Sequence, residues 1–258
     1  MQNTPLPKLT TSQFYILKLT YKFRFLTSHH LANIKNHKDH VTAYRLLEKL
    51  TTNGYLIKRY NNTYKIAGKN AVYSLAKPAV KLLRDSREFC EPVLNAMYKN
   101  ATVTEGSIEQ HLEILKIYNV LKAHYIDTFD IFTKNELFDQ DYFPDPRPDL
   151  YLRRHDVTHK PNEFMLFVVN DIQLFVIKKK LKPWLTHYDE AGWDGDYPTI
   201  LLVCVTSSVE SRLRTYLTDL GLDDELHILM TTKRAVIAGL GSELWTDYRS
   251  DMVLMNLN

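Results

Sequence analysis

The chain of 258 residues is 45% hydrophobic and 12% aromatic, enough apolar surface for packed cores, which excludes global disorder, and its length fits one large domain or two ordinary ones. No apolar run approaches the ~18 residues of a membrane helix and the N-terminus has no signal-peptide core, while Cys90 and Cys204, in distant and dissimilar contexts, argue against a disulfide framework and fit a reducing cytosol. The net charge of +3 hides an asymmetry: residues 1–100 hold 17 Lys+Arg against 5 Asp+Glu, and the remainder holds 16 against 25. A basic module meeting a polyanion is the simplest account of the first part; the acidic second part cannot be a broad DNA-binding surface.

Residues 1–10, with two prolines and no periodicity, read as a loose arm. Thr11-Ser12 can cap a helix through Phe14, Ile16, Leu17 and Leu19 to about Phe23, and Thr27-Ser28 a short second helix over 29–35. An amphipathic third helix opens near His37, with Ala43, Leu46, Leu47 and Leu50 as its apolar stripe. Another face carries Lys38, Thr42, Arg45 and Lys49, a row without an acid. Asn53-Gly54 ends it, since both residues tolerate the left-handed conformation of a helix C-terminus.

Three β-branched and aromatic runs follow, 55–60, 64–67 and 71–75, broken by Asn and Gly. A helix with a basic row followed by a basic hairpin is how a winged helix-turn-helix meets DNA. Lys38, Thr42, Arg45 and Lys49 would face the major groove, with His40 in phosphate or base contact, and Lys58, Arg59 and Lys65 would lie near backbone phosphate. A solvated basic face or a protein-docking winged helix accounts for the same pattern. Lys77-Pro78 starts a further helix whose Val80, Leu82 and Leu83 can pack on the module or against a second copy, so a homodimer is an open option. Tyr44, Tyr55 and Tyr73 read as core or wing-packing residues.

The domain boundary falls within 86–105, giving a winged helix-turn-helix over 1–88 and an α/β domain over 105–258. The second domain reads as a long helix over 108–125, strands at 128–133, 150–153 and 164–169, and a helix over 174–188 that Pro183 should stop or kink. A strand at 199–206, a helix at 209–220 and a strand at 226–231 complete a mixed sheet with helices on its faces. Pro148-Asp149 heads one strand, and a buried strand ending Val169-Asn170-Asp171 and a helix with Lys178-Lys179-Lys180 come after it. This is the skeleton of PD-(D/E)xK nucleases, whose carboxylates hold a divalent metal and whose lysine orients the attacking water.

The succession RLLEKLTTNGYL, YSLAKPAVKLL, SIEQHLEILKIYNVLKAHY, RPDLYLR, FVVND, KKKLKPWLTHY and YPTILLVCV resembles the replication-relaxation family of plasmid and mobile-element proteins. That resemblance implies a winged helix-turn-helix joined to a PD-(D/E)xK-like domain. Similar members carry Glu-x-Asp at the end of the second core strand, then a lysine-bearing helix ending in Tyr. Asp149, Asp171, Lys180 and Tyr188 match by position, but Val169 replaces the glutamate, and a divalent-metal site rarely survives the loss of one of its two carboxylates. Asp149 can equally cap a turn or pair with arginine, and the lysine run can be a solvated face or a docking spot for an acidic partner.

The expectation is therefore a cytosolic, nucleoid-associated protein that reads double-stranded DNA, touches no membrane and needs no cofactor. Its acidic domain, nuclease-like and without cleaving activity, would serve assembly or partner binding. The enzyme alternative is a nuclease or nickase using Asp149, Asp171 and Lys180 with a divalent metal such as Mg²⁺. A third alternative is a winged-helix adaptor between proteins.

Overall fold

The computed structural model describes residues 7–35, 39–125, 127–156, 158, 162–170, 174–190, 192–238, 244–249 and 253–255. The chain divides into two compact units, Met1–Asn119 and Val120–Asn258. Among the described residues, no helix is long and apolar enough to cross a membrane.

Unit 1 starts with three helices, α1 (Thr11–Phe23), α2 (Ser28–Ile34) and α3 (His40–Thr52). Thr10 and Gln13 close a reciprocal capping box on α1, and Thr27 caps α2. Asp39 caps α3 by accepting from the N–H groups of Val41 at 2.7 Å and Thr42 at 3.3 Å, and its charge suits the positive end of the helix. At the other end Tyr55 N–H donates to Leu50 O and Gly54 N–H to Thr51 O, each at 2.9 Å, with Gly54 at φ 76°; this is the Schellman closure foreseen from Asn53-Gly54.

The wing pairs β1 (Leu56–Arg59) antiparallel with β2 (Val72–Leu75), and Leu26 adds a bridge to Tyr73. The run expected as a strand over 64–67 is instead part of a short helix, α4 (Asn62–Ile66). Asn61 caps it by accepting from Tyr64 N–H, and buried Tyr64 is tied to Glu105, so a local cap and one anchored ring override the β-propensity of the run.

α5 (Lys77–Ser86) and α6 (Glu91–Met97) continue the unit, followed by a 3₁₀ turn over Asn100–Thr102 and α7 (Glu105–Tyr125). Val80 and Leu83 are fully buried inside the unit, so α5 spends these residues on its own module. The boundary expected within 86–105 is not where the fold divides. Arg84 bonds Glu91 at 2.8 Å and Asn95 at 2.8 Å, Cys90 N–H donates to the Tyr21 hydroxyl, and Ile108 packs with Phe25, Tyr64 and Val72. A polar-looking stretch is thereby bound to the module by side-chain hydrogen bonds, which a hydropathy reading does not register.

Unit 2 is a seven-stranded sheet in sequential order, β3 (Phe129–Thr133), β4 (Leu150–Arg154), β5 (Glu163–Val169), β6 (Thr199–Cys204), β7 (Ile228–Thr232), β8 (Trp245–Asp247) and β9 (Val253–Met255). The first three strands run antiparallel, β5, β6 and β7 run parallel, and β8 and β9 return antiparallel. The parallel pairs are crossed by α8 (Leu174–Asp189) and α9 (Ser207–Asp219), while α10 (Lys233–Ala238) follows β7. Ile177 and Leu181 of α8 and Val209, Leu213 and Leu217 of α9 share one cluster with Ile200, Leu202 and Cys204, so both crossovers cover the same sheet face. Every residue of β6 is buried, as its unbroken apolar run requires. Of the stop or kink expected at Pro183, the stop does not occur: α8 runs through it, with Trp184 and Leu181 buried on either side.

Candidate nucleic-acid interface

On α3 the 3.6-residue period divides the side chains cleanly. Ala43, Leu47 and Leu50 are fully buried, Leu46 is half-buried, and Thr42, Arg45 and Lys49 are exposed along one row. Lys38 lies outside the described residues. His40 is exposed in the first turn and stacks on His29 with ring centroids 4.1 Å apart. His30, bonded to the Thr27 hydroxyl, is pushed down to about 4 by burial and then by the neighbouring His29 and Lys116 charges, so it stays neutral near pH 7.

The wing cations divide into two kinds. Lys58 forms an ion pair with Glu48 at 2.9 Å and lies 5.4 Å from the Tyr44 ring and 5.7 Å from the Tyr60 ring. Burial alone would lower its pKa, but the hydrogen bond and charge of Glu48, joined by Tyr44, raise it. Lys65 is exposed beside the other side of this cluster, 5.9 Å from the Tyr60 ring. Arg59 points elsewhere: it donates to Val103 O at 2.9 Å and Ala101 O at 2.8 Å and pairs with Glu105 at 2.9 Å. Its expected phosphate role is thus replaced by a clamp that fastens the wing to the chain entering α7.

A groove of about 340 Å³ lies between the start of α3 and the wing, lined by His40, Tyr44, Lys58, Tyr60 and Lys69 among others. Tyr44 is 41% exposed rather than core, while Tyr55 and Tyr73 are buried as expected. Lys69, which forms an ion pair with Glu109, and Tyr60 were not singled out in the sequence, whereas Tyr44 lies against the wing, one of the two places expected for it. Tyr44 sits one place before Arg45 on a basic face, a position that could have flagged its exposure.

At the sheet of unit 2, Asp149 immediately precedes β4, and its Oδ2 accepts from Val168 N–H at 2.9 Å. Burial pushes its carboxyl up, against the pull of that N–H and of the Lys134 and Lys180 charges. Asp149 and Lys180 therefore come within electrostatic reach of each other. Arg147 does not pair with Asp149; it donates to Leu137 O at 3.0 Å and Gln140 O at 3.4 Å. Val169 packs in the apolar cluster with Ile177, Leu181 and Cys204. Lys178 lies over the Tyr216 ring at 4.2 Å, and Tyr188 lines a cleft at the opposite end of the sheet, beside Glu163. Asp171 lies outside the described residues. Among the described residues, Asp149 meets an amide donor and the charges of Lys134 and Lys180, and the end of β5 offers the alkyl side chain of Val169 in place of a second carboxylate. Among the described residues, no group of three or more His, Cys, Asp or Glu is placed to hold a metal.

Residues 17–121 match the model of the replication-relaxation family. The matched segment runs from α1 into α7, taking in the cationic row, the wing and the Arg59 clamp. No curated protein matches the chain. Among solved structures, the adhesin competence repressor AdcR from Streptococcus pyogenes is 19% identical, with 46% of this chain and 69% of that one covered at a TM-score of 0.24. The restriction endonuclease FokI bound to DNA is 8% identical, with 90% and 45% covered at a TM-score of 0.33. Likenesses this slight carry no argument for the fold or the function, which rest on the geometry above.

Proposed function

We propose that the chain is a DNA-binding protein of a plasmid or mobile element, acting in its replication, mobilisation or regulation. α3 and the β1–β2 wing read duplex DNA, and unit 2 is a nuclease-like scaffold, PD-(D/E)xK in lineage, that supports assembly or a protein partner without cutting. The observation that carries this reading is the α3 row: Thr42, Arg45 and Lys49 are exposed on a helix whose other side is core, with exposed Lys65 of α4 and the Glu48-paired Lys58 of β1 beside it. The replication-relaxation match over the same segment supports it. Val169 in the apolar cluster supports the non-cutting half.

Duplexes selected from a random pool, titrated by fluorescence anisotropy, provide the test. The double variant Arg45→Ala, Lys49→Ala weakens binding about tenfold near 0.1 M salt and flattens the slope of log K against log salt by about 2, because two cations facing the polyanion are lost. An unchanged affinity and slope would remove α3 from the interface. Absence of any duplex binding at low salt would point to a docking module instead. Supercoiled DNA nicked with Mg²⁺ or Mn²⁺, and no longer nicked by Asp149→Ala, would overturn the non-cutting assignment.

A further inference from the structure

At the end of the sheet opposite Asp149, where the parallel strands β5, β6 and β7 begin, lies a cleft of about 770 Å³. That volume suits an organic molecule or a side chain rather than a bare ion. Its walls are aromatic. Trp193 and Tyr197 are 6.3 Å apart between centroids, and Tyr188 meets Tyr197 edge-on at 5.2 Å. Glu163, at the first position of β5, holds this wall in place: Oε2 accepts the Trp193 indole N–H at 3.2 Å and Oε1 the Tyr151 hydroxyl at 2.6 Å. Asp196 and Glu225 add two more carboxylates to the lining, and among the described residues no Lys or Arg lines it. Beside Trp193, a Cβ on Gly192 would fall 2.4 Å from the His187 ring, so any side chain there would have to push the imidazole aside.

A cleft of ring faces and carboxylates, in which His227 is the one basic side chain among the described residues, suits a cation that is content to lose water. The guanidinium group answers best. It is planar, so it stacks on Trp and Tyr faces; it is more weakly hydrated than an ammonium; and its fork of N–H donors suits carboxylate oxygen. A divalent metal fits poorly, since no three ligands converge here among the described residues.

We propose that this cleft binds an organic guanidinium, stacked against Trp193 and Tyr197 and neutralised by Glu163 and Glu225. The burial and the Asp223 charge that raise the Tyr188 hydroxyl pKa are in keeping with a negative field along this edge. The site owes nothing to DNA reading by unit 1, and either can fail alone.

The full chain carries its own reporter. Trp184 and Trp245 are buried, whereas Trp193 is half-buried in the cleft wall. Trp193 emission is followed while ethylguanidinium, N-acetylarginine amide, N-acetyllysine amide and the neutral N-acetylcitrulline amide are titrated, with calorimetry as a second readout. Saturable binding is expected for both guanidinium probes. N-acetylarginine amide should bind at least about tenfold tighter than the citrulline analogue, from the loss of charge and fork, and more tightly than the lysine analogue. Glu225→Gln, at an exposed position outside the core, weakens it about threefold or more, and Trp193→Phe removes the emission change while calorimetric binding persists. Tighter binding of the arginine amide than of ethylguanidinium marks an arginine of a polypeptide as the natural occupant; equal binding marks a free small molecule. No saturation with a folded protein, equal affinity for citrulline, preference for lysine, or an unaffected Glu225→Gln would each overturn the assignment.

Discussion

The two units handle charge in opposite ways. In unit 1 the cations of α3 stand on a helix face whose reverse is core, so Arg45 and Lys49 are presented to solvent by the same periodicity that buries Leu47 and Leu50. In unit 2 the notable carboxylates are held inside the fold. Asp149 is kept by the Val168 amide and Glu163 by the Tyr151 hydroxyl and the Trp193 indole. The first arrangement suits recognition of an extended polyanion, where many exposed charges each contribute little. The second suits a site, where a few desolvated groups in fixed geometry decide what binds.

The sharpest way to break this contrast is to place an acid at the end of β5. Val169→Glu places a carboxylate in the apolar cluster beneath α8, and is expected to destabilise unit 2 by about 3 kcal/mol, or roughly 6–12 °C in Tm, through burial of an unpaired charge. Thermal unfolding of the full chain checks it. A variant as stable as the parent that also gains Mn²⁺ affinity would mean that the end of β5 is an accessible metal seat.

Arg59→Ala comes next and separates an internal cation from an exposed one. It removes two hydrogen bonds to main-chain carbonyls and an ion pair, and should cost about 1–3 kcal/mol in stability while leaving the salt slope of DNA binding unchanged. A slope that falls with little loss of stability would return Arg59 to the phosphate contacts.

The smallest effect is expected at Asp149. Its pKa is raised in the fold, so the stability it contributes is present at acid pH, below its unfolded value, and is lost as pH rises through the folded value. Asn keeps an acceptor for the Val168 N–H with no charge to bury. Asp149→Asn should therefore melt slightly higher than the parent at neutral pH, with the difference closing toward pH 3. A loss of stability at neutral pH would show that the Lys134 and Lys180 charges outweigh burial.

Much of this was legible in the order of residues. The first three helices of unit 1, the helix end at Asn53-Gly54 and the run of β3 to β7 with two crossover helices follow from local patterns, because caps, periods and unbroken apolar runs act over a few residues. The short strands β8 and β9 and the helices α4, α6 and α10 were not read: each is three to seven residues long, too short for a period to declare itself.

By itself, the amino-acid sequence determined the longer helices and strands, where the cationic row falls, and that position 169 is a valine. Only the tertiary structure decided that Arg59 turns inward, that Tyr44 turns outward, that α6 and the start of α7 belong with the winged helix, and that Glu163, Trp193 and Glu225 share one cleft. The reason is range. Local conformation depends on neighbours a turn away, whereas the partner of a guanidinium or the wall of a cleft comes from residues 30 to 60 places apart, which only packing brings together.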